Sequence, residues 1–142
     1  MRDLLLLPRL RAGEDAALLL LRLGTGVFLI HGVWDNISSA ERMDEFVAFL
    51  THHRFVFPEG MARLSVWTQF ACGVGLVAGL LTRWSGLLCV ANFVVACVMV
   101  HWQQDIRGWW PALALVLIGG LLLTRGGGRF SVDRVLLGDR ST

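Results

Sequence analysis

Four long apolar runs constrain this chain more than any other feature: Ala16 to Trp34, Met61 to Leu81, Trp84 to Trp102 and Trp109 to Thr124. A hydrocarbon core about 30 Å thick needs roughly 20 helical residues, with tolerance from about 17 to 25. The first three runs meet that length. The fourth reaches it if the span begins at the interface with Trp109–Trp110, and Pro111 is acceptable near a first helical turn, where a missing N–H costs nothing. Backbone crossing lipid must satisfy its own polar groups, so such runs fold as helices. The expectation is an all-α, four-transmembrane-helix bundle forming one membrane domain over 1–142. Thr82–Arg83 turns the chain between spans two and three, Gln103 to Gly108 between three and four, and Gly126–Gly127–Gly128 ends the last helix before a tail over 125–142.

Composition agrees, with 55% hydrophobic and 17% charged residues. A net charge of +2, without a long basic block, argues against nucleic acid as a partner and leaves the lipid bilayer as the main one. Cys72, Cys89 and Cys97 all sit inside apolar runs and read as small buried hydrophobes. The early stretch Leu4 to Leu7 is stopped by Pro8 and followed by Arg9, Arg11, Glu14 and Asp15, so no continuous signal-peptide core forms and span one is expected to be retained. No nucleophile motif, phosphate loop, zinc spacing or dinucleotide fingerprint is present.

Arginines orient the spans, because positive residues favour the cytoplasmic side. With both termini inside, the inner segments hold Arg2, Arg9, Arg11, Arg83, Arg125, Arg129, Arg134 and Arg140, and Arg22 snorkels toward them. The outer segments hold only Arg42, Arg54, Arg63 and Arg107. Trp34, Trp67, Trp102, Trp109 and Trp110 then fall at outer span ends as an interfacial belt.

The long outer connection, 35–60, contains a short amphipathic helix. Ser39 caps it, Glu41, Asp44 and Glu45 suit its N-terminal dipole, and Met43, Phe46, Val47, Phe49 and Leu50 give it an apolar face. It reads as a lid on the outer surface, ending before His52–His53 and Pro58, and serving as an interfacial anchor or a gate. In span two, Gly75 and Gly79 share a face that lets another helix approach closely, and Gly24, Gly26 and Gly32 in span one read the same way. Such a stripe serves packing within one bundle or formation of a homo-oligomer.

Two spans end in one pattern: His31-x-x-x-Asp35 closes span one and His101-x-x-x-Asp105 closes span three. Residues four apart share a helix face. Spans one and three run in the same direction, so both pairs belong at the outer side, with Gln69 of span two near their level. Imidazoles within a bilayer point to function. His31, His101, Asp35 and Asp105 form a ligand set for a transition metal, opposed imidazoles suit haem, and His with Gln69, Trp34 and Trp102 suits a quinone. In the structural alternative, each His favours its helix C-terminus and is satisfied by the Asp one turn on. Asn92, in mid-span three, is expected to bond to a neighbouring helix or a backbone carbonyl.

Several pieces resemble the DoxX family of small four-helix membrane proteins: Leu21-Arg22-Leu23 leading to His31-Gly32, Gly75 to Gly79 followed by Leu80-Leu81-Thr82-Arg83, His101-Trp102, and the tail Gly128-Arg129-Phe130-Ser131-Val132-Asp133-Arg134. The resemblance implies a bacterial inner membrane, and relatives there include subunits of thiosulfate:quinone oxidoreductases. Relatives often carry an acid where this chain has Gln69, and a basic residue near the position of Asp35. The expectation is therefore a small redox-associated protein, catalytic or a subunit beside a partner oxidoreductase, whose outer pocket holds a quinone, haem or metal. His31 and His101 would be its ligands or hydrogen-bond donors, oriented by Asp35 and Asp105. The alternative is a non-catalytic scaffold for a partner enzyme.

Overall fold

A computed structural model describes residues 13–102 and 104–137. The helices are α1 (Glu14–Ser38), α2 (Ala40–His52), α3 (Pro58–Ala78), α4 (Thr82–Ala96), a π-helical continuation of α4 (Cys97–His101), α5 (Ile106–Arg125) and a short α6 (Val132–Leu137). No strand occurs among the described residues. Four helices are long and apolar enough to cross a membrane: α1, α3, α4 with its continuation, and α5. They form the expected four-span bundle, with α2 across one end between spans one and two. That end is the lid end, and the end carrying α6 is the tail end. The expectations for Leu4–Leu7, Arg2, Arg9, Arg11, Gln103 and Arg140 lie outside the described residues.

The span limits differ from the apolar runs for local reasons. Span one begins at Glu14 and continues past Trp34 to Ser38. Span two stops at Ala78 rather than Leu81, because Gly79 and Leu81 are left-handed, at φ 71° and 51°. The N–H groups of Gly79 and Leu80 both bond to the carbonyl of Gly75, closing the helix as left-handed caps do. Span four starts at Ile106, which puts Pro111 inside the helix, beyond the first turn.

The spans form two close pairs, α1 with α3 and α4 with α5. Each crosses at facing glycines. A Cβ on Gly26 would lie 2.7 Å from the carbonyl oxygen of Gly73, and one on Gly86 would lie 2.7 Å from that of Gly119. Only glycine permits these backbone contacts, which is how helices gain packing energy in lipid. The glycine reading of the sequence is therefore corrected in part. Gly26 works as expected, Gly24 and Gly32 face open space, and Gly79 is a helix cap against Arg22. Leu29, Cys72, Leu76, Cys89, Leu115 and Leu122 fill the core between the pairs, and all three cysteines are free and buried.

At the tail end the chain folds back onto the bundle. Arg22 is not a snorkelling residue at the membrane edge: it is 1% exposed. Its Nη1 donates to the carbonyl of Gly127 at 2.9 Å and its Nη2 to that of Phe130 at 2.7 Å. Asp133 accepts from the N–H groups of Leu81 at 2.6 Å and Thr82 at 2.8 Å, and so caps α4 with a carboxylate. The N–H of Asp133 donates back to Gly79 at 3.0 Å. Asp15 accepts from the N–H of Arg129 at 3.1 Å, and Glu14 pairs with Arg125. This clasp joins spans one, two and three to the segment after span four.

A cavity beneath the lid helix

Between the two helix pairs, at the lid end, α3 and α4 part around a cavity of about 550 Å³. That volume is within the range of about 300–1,000 Å³ common for small-molecule sites. The apolar face of α2 roofs it through Phe46, Phe49 and Leu50, with Phe55 from the following turn. The lid forms as its sequence implies. Ser39 accepts from the N–H of Arg42, the helix runs to His52, and Leu50 is buried. His53 stays on the lid, its ring 4.3 Å from that of Phe49.

Most of the wall is aliphatic. Five polar side chains interrupt it: Ser65, Thr68 and Gln69 from α3, and Asn92 and His101 from α4. Gln69 donates through Nε2 to the hydroxyl of Ser65 at 3.1 Å. Asn92, contrary to expectation, bonds to no neighbouring helix and has no hydrogen-bond partner among the described residues. His101 Nδ1 lies 2.8 Å from Gln104 Oε1. With that oxygen as acceptor, Nδ1 carries the proton and Nε2 of the neutral ring remains as an acceptor. His101 ends the π-helical segment, and turns of that kind recur at functional sites, where the extra residue re-aims a side chain.

The site therefore differs from the one the spacing suggested. His101 and Gln69 line one cavity, whereas His31 is exposed on α1 and is not among its walls. Asp35 is also exposed, beside a shallow polar groove with Asn36, Arg42 and Glu45, and its backbone carbonyl accepts from the N–H of Ser39. Asp105 does not orient His101. Its carboxylate accepts from the N–H of Gly108 at 3.2 Å as the N-cap of α5, and Gln104 partners the imidazole instead. Trp34 and Trp102 lie outside the cavity. Trp34 packs near Phe70, with ring centroids 6.5 Å apart, and Trp102 lines a small surface groove with Trp109.

Among the described residues, no group of three or more His, Cys, Asp or Glu side chains is placed to hold a metal ion. The four-ligand set of His31, Asp35, His101 and Asp105 is thus not assembled, because span one turns His31 outward while Leu29 and Val33 take the core positions. Nor do the two imidazoles face one another across a shared space, as axial haem ligation requires. Ser65, Thr68 and Asn92 were missed as site residues. Their signal was available: Ser65 and Gln69, four apart with Thr68 between them, form a polar stripe on one face of an otherwise apolar span.

Neither curated proteins nor solved structures give a match to this chain. The sequence model named DoxX matches residues 17–102, a stretch that holds every residue lining the cavity and leaves the closing tail outside. With more than half of the chain matched and four membrane-crossing helices in place, this is a multi-pass membrane protein of the DoxX family.

Proposed function

We propose that this protein is a redox-associated membrane protein that binds a quinone in the cavity under the lid, alone or as a subunit of an oxidoreductase. The observation that carries the reading is the set of polar side chains inside an apolar chamber: Gln69 on the α3 side, Asn92 and His101 on the α4 side, and Phe46, Phe49 and Leu50 as the roof. A quinone ring needs apolar contact on its faces and hydrogen bonds at its edges. Asn92 has an amide without another partner to offer a ring carbonyl, and Gln69 is held in place by Ser65. His101, steadied by Gln104 at Nδ1, lines the cavity and keeps Nε2 unused in that contact, a nitrogen that can take or return a hydroxyl proton. A bound quinone supplies two-electron, two-proton chemistry that none of these side chains supplies. Among the described residues, neither a transition-metal ligand set nor a pair of opposed imidazoles for haem is brought together.

The arginine distribution supports placing the tail end in the cytoplasm and the cavity at the outer face of a bacterial inner membrane. The test is extraction of protein purified in mild detergent, followed by chromatography of the lipid-soluble fraction and titration with added quinone. Bound quinone is expected, with affinity falling about tenfold or more in His101→Ala, as for loss of a good hydrogen bond. His31→Ala should leave affinity unchanged. A Soret band, stoichiometric iron or copper, or equal effects of the two substitutions would refute the reading.

A further inference from the structure

Several walls of this cavity belong to the outer surface of the bundle as well as to its interior. Leu64 is 62% exposed, Leu88 46% and Val95 40%, and all three line the cavity. Ala91 is a fourth such residue. Leu88, Ala91 and Val95 form one stripe of α4, at intervals of three and four residues, and Leu64 stands on α3. All four lie within helices long and apolar enough to cross a membrane, so lipid is the medium that their exposed apolar surface suits. The cavity is therefore a slot with a side opening between α3 and α4. Its lining extends along α4 from Leu88 to His101, about 20 Å at 1.5 Å per residue. The polar groups are unevenly spread. From Leu88 to Ala91 the α4 wall is purely apolar, Asn92 stands in mid-span, and His101 stands about 13 Å further toward the lid end, with Ser65, Thr68 and Gln69 on the α3 side.

We infer that the ligand is a membrane-dissolved molecule with a hydrogen-bonding ring and a long apolar tail, which enters sideways from the bilayer between α3 and α4. This rests on the quinone-site reading above and adds the route and the tail. A water-soluble substrate would have to enter past α2, which covers the lid side of the chamber with the apolar side chains of Phe46, Phe49 and Leu50. A chain already in lipid gains little free energy on moving into an apolar slot. The slot instead lets the tail remain outside or along α4 while the ring reaches the polar side chains that line the chamber. The opening thus acts as a filter for molecules delivered at hydrocarbon depth.

The test uses the full chain in phospholipid nanodiscs and two labelled probes: a benzoquinone with a long isoprenoid tail, and the same ring with a methyl group in place of the tail. Binding is expressed per lipid-phase concentration. Ala91→Trp and, separately, Leu88→Trp place an indole in the opening, at exposed positions that tolerate size. Both probes should bind the unmodified protein. Either tryptophan should weaken the tailed probe by about tenfold or more and the tailless probe by less than about twofold. Equal weakening of both probes, no effect on either, or a protein that binds only the tailless ring would overturn the sideways route and leave the ring site standing. If the unmodified, folded protein binds neither probe, the ring site itself fails and the route falls with it.

Discussion

Replacement of Arg22 by methionine tests how strongly the tail-end clasp holds the bundle. The substitution keeps an unbranched apolar stem and removes the guanidinium, which is 1% exposed and donates to Gly127 and Phe130. Hydrogen bonds from a charged group contribute about 1.5–3 kcal/mol each, so the gross loss is about 3–6 kcal/mol. Removing a buried charge whose Nε has no partner recovers part of that. The expected net loss is about 2–4 kcal/mol. Asp133→Asn keeps one acceptor for the N–H groups of Leu81 and Thr82 but removes the charge that caps α4 and acts electrostatically on Arg22. Its cost should be about 1–3 kcal/mol. Because both residues hold the same segment, the double variant should lose about 1 kcal/mol less than the two single losses together. Steric trapping in bicelles reads these differences directly. Arg129→Ala, which disturbs only an exposed pair with Asp15, is the control and should change stability by less than about 0.5 kcal/mol. A neutral Arg22→Met, or strictly additive losses, would show that the clasp is an incidental contact.

The helix crossings give a second test: Gly26→Ala should destabilise by more than about 1 kcal/mol, since its Cβ would meet the Gly73 carbonyl at 2.7 Å, whereas Gly24→Ala, in open space, should be neutral or stabilising by up to about 1 kcal/mol, measured by the same trapping assay. Asp105→Ala should cost about 1 kcal/mol as a lost N-cap and Asp105→Asn far less, with neither altering quinone affinity in the titration; a change in affinity would restore Asp105 to the site. In a variant without native cysteines, Thr51→Cys in intact cells should react with an impermeant maleimide and Val135→Cys should not; the reverse labelling would invert the proposed orientation.

The architecture was readable because lipid imposes one rule on every residue of a span. Apolar runs of sufficient length had to be helices, and Met43, Phe46, Val47 and Leu50, at intervals of three and four residues behind Ser39, suit a short amphipathic helix. The site was less readable. His31–Asp35 and His101–Asp105 satisfy the four-residue spacing, but spacing alone does not say whether a face turns inward. In span one the inward positions went to Leu29 and Val33. In span three a π-helical stretch adds a residue to the turn before His101, and the helix then breaks, so Asp105 starts the next helix instead of completing the pair. Arg22 was misread for a related reason. Its partners are backbone carbonyls more than a hundred residues away, and carbonyls leave no mark in a sequence.

That distance has a consequence for the order in which the protein is made. Arg22 enters the membrane with span one, but its acceptors, Gly127 and Phe130, follow 105 and 108 residues later. At roughly 5–20 residues per second, the guanidinium waits on the order of 5–20 s for its partners. During that interval it must stay hydrated at the membrane edge, with span one riding shallow enough to allow it. Only when the last segment leaves the ribosome can the arginine be drawn in, and span one settle to the depth where Gly26 meets Gly73. The segment from Gly127 to Asp133 therefore acts as a closing step of assembly. A chain stopped at Gly126 should insert all four spans yet remain open to protease at the tail end, while a chain that includes Gly127 to Asp133 resists.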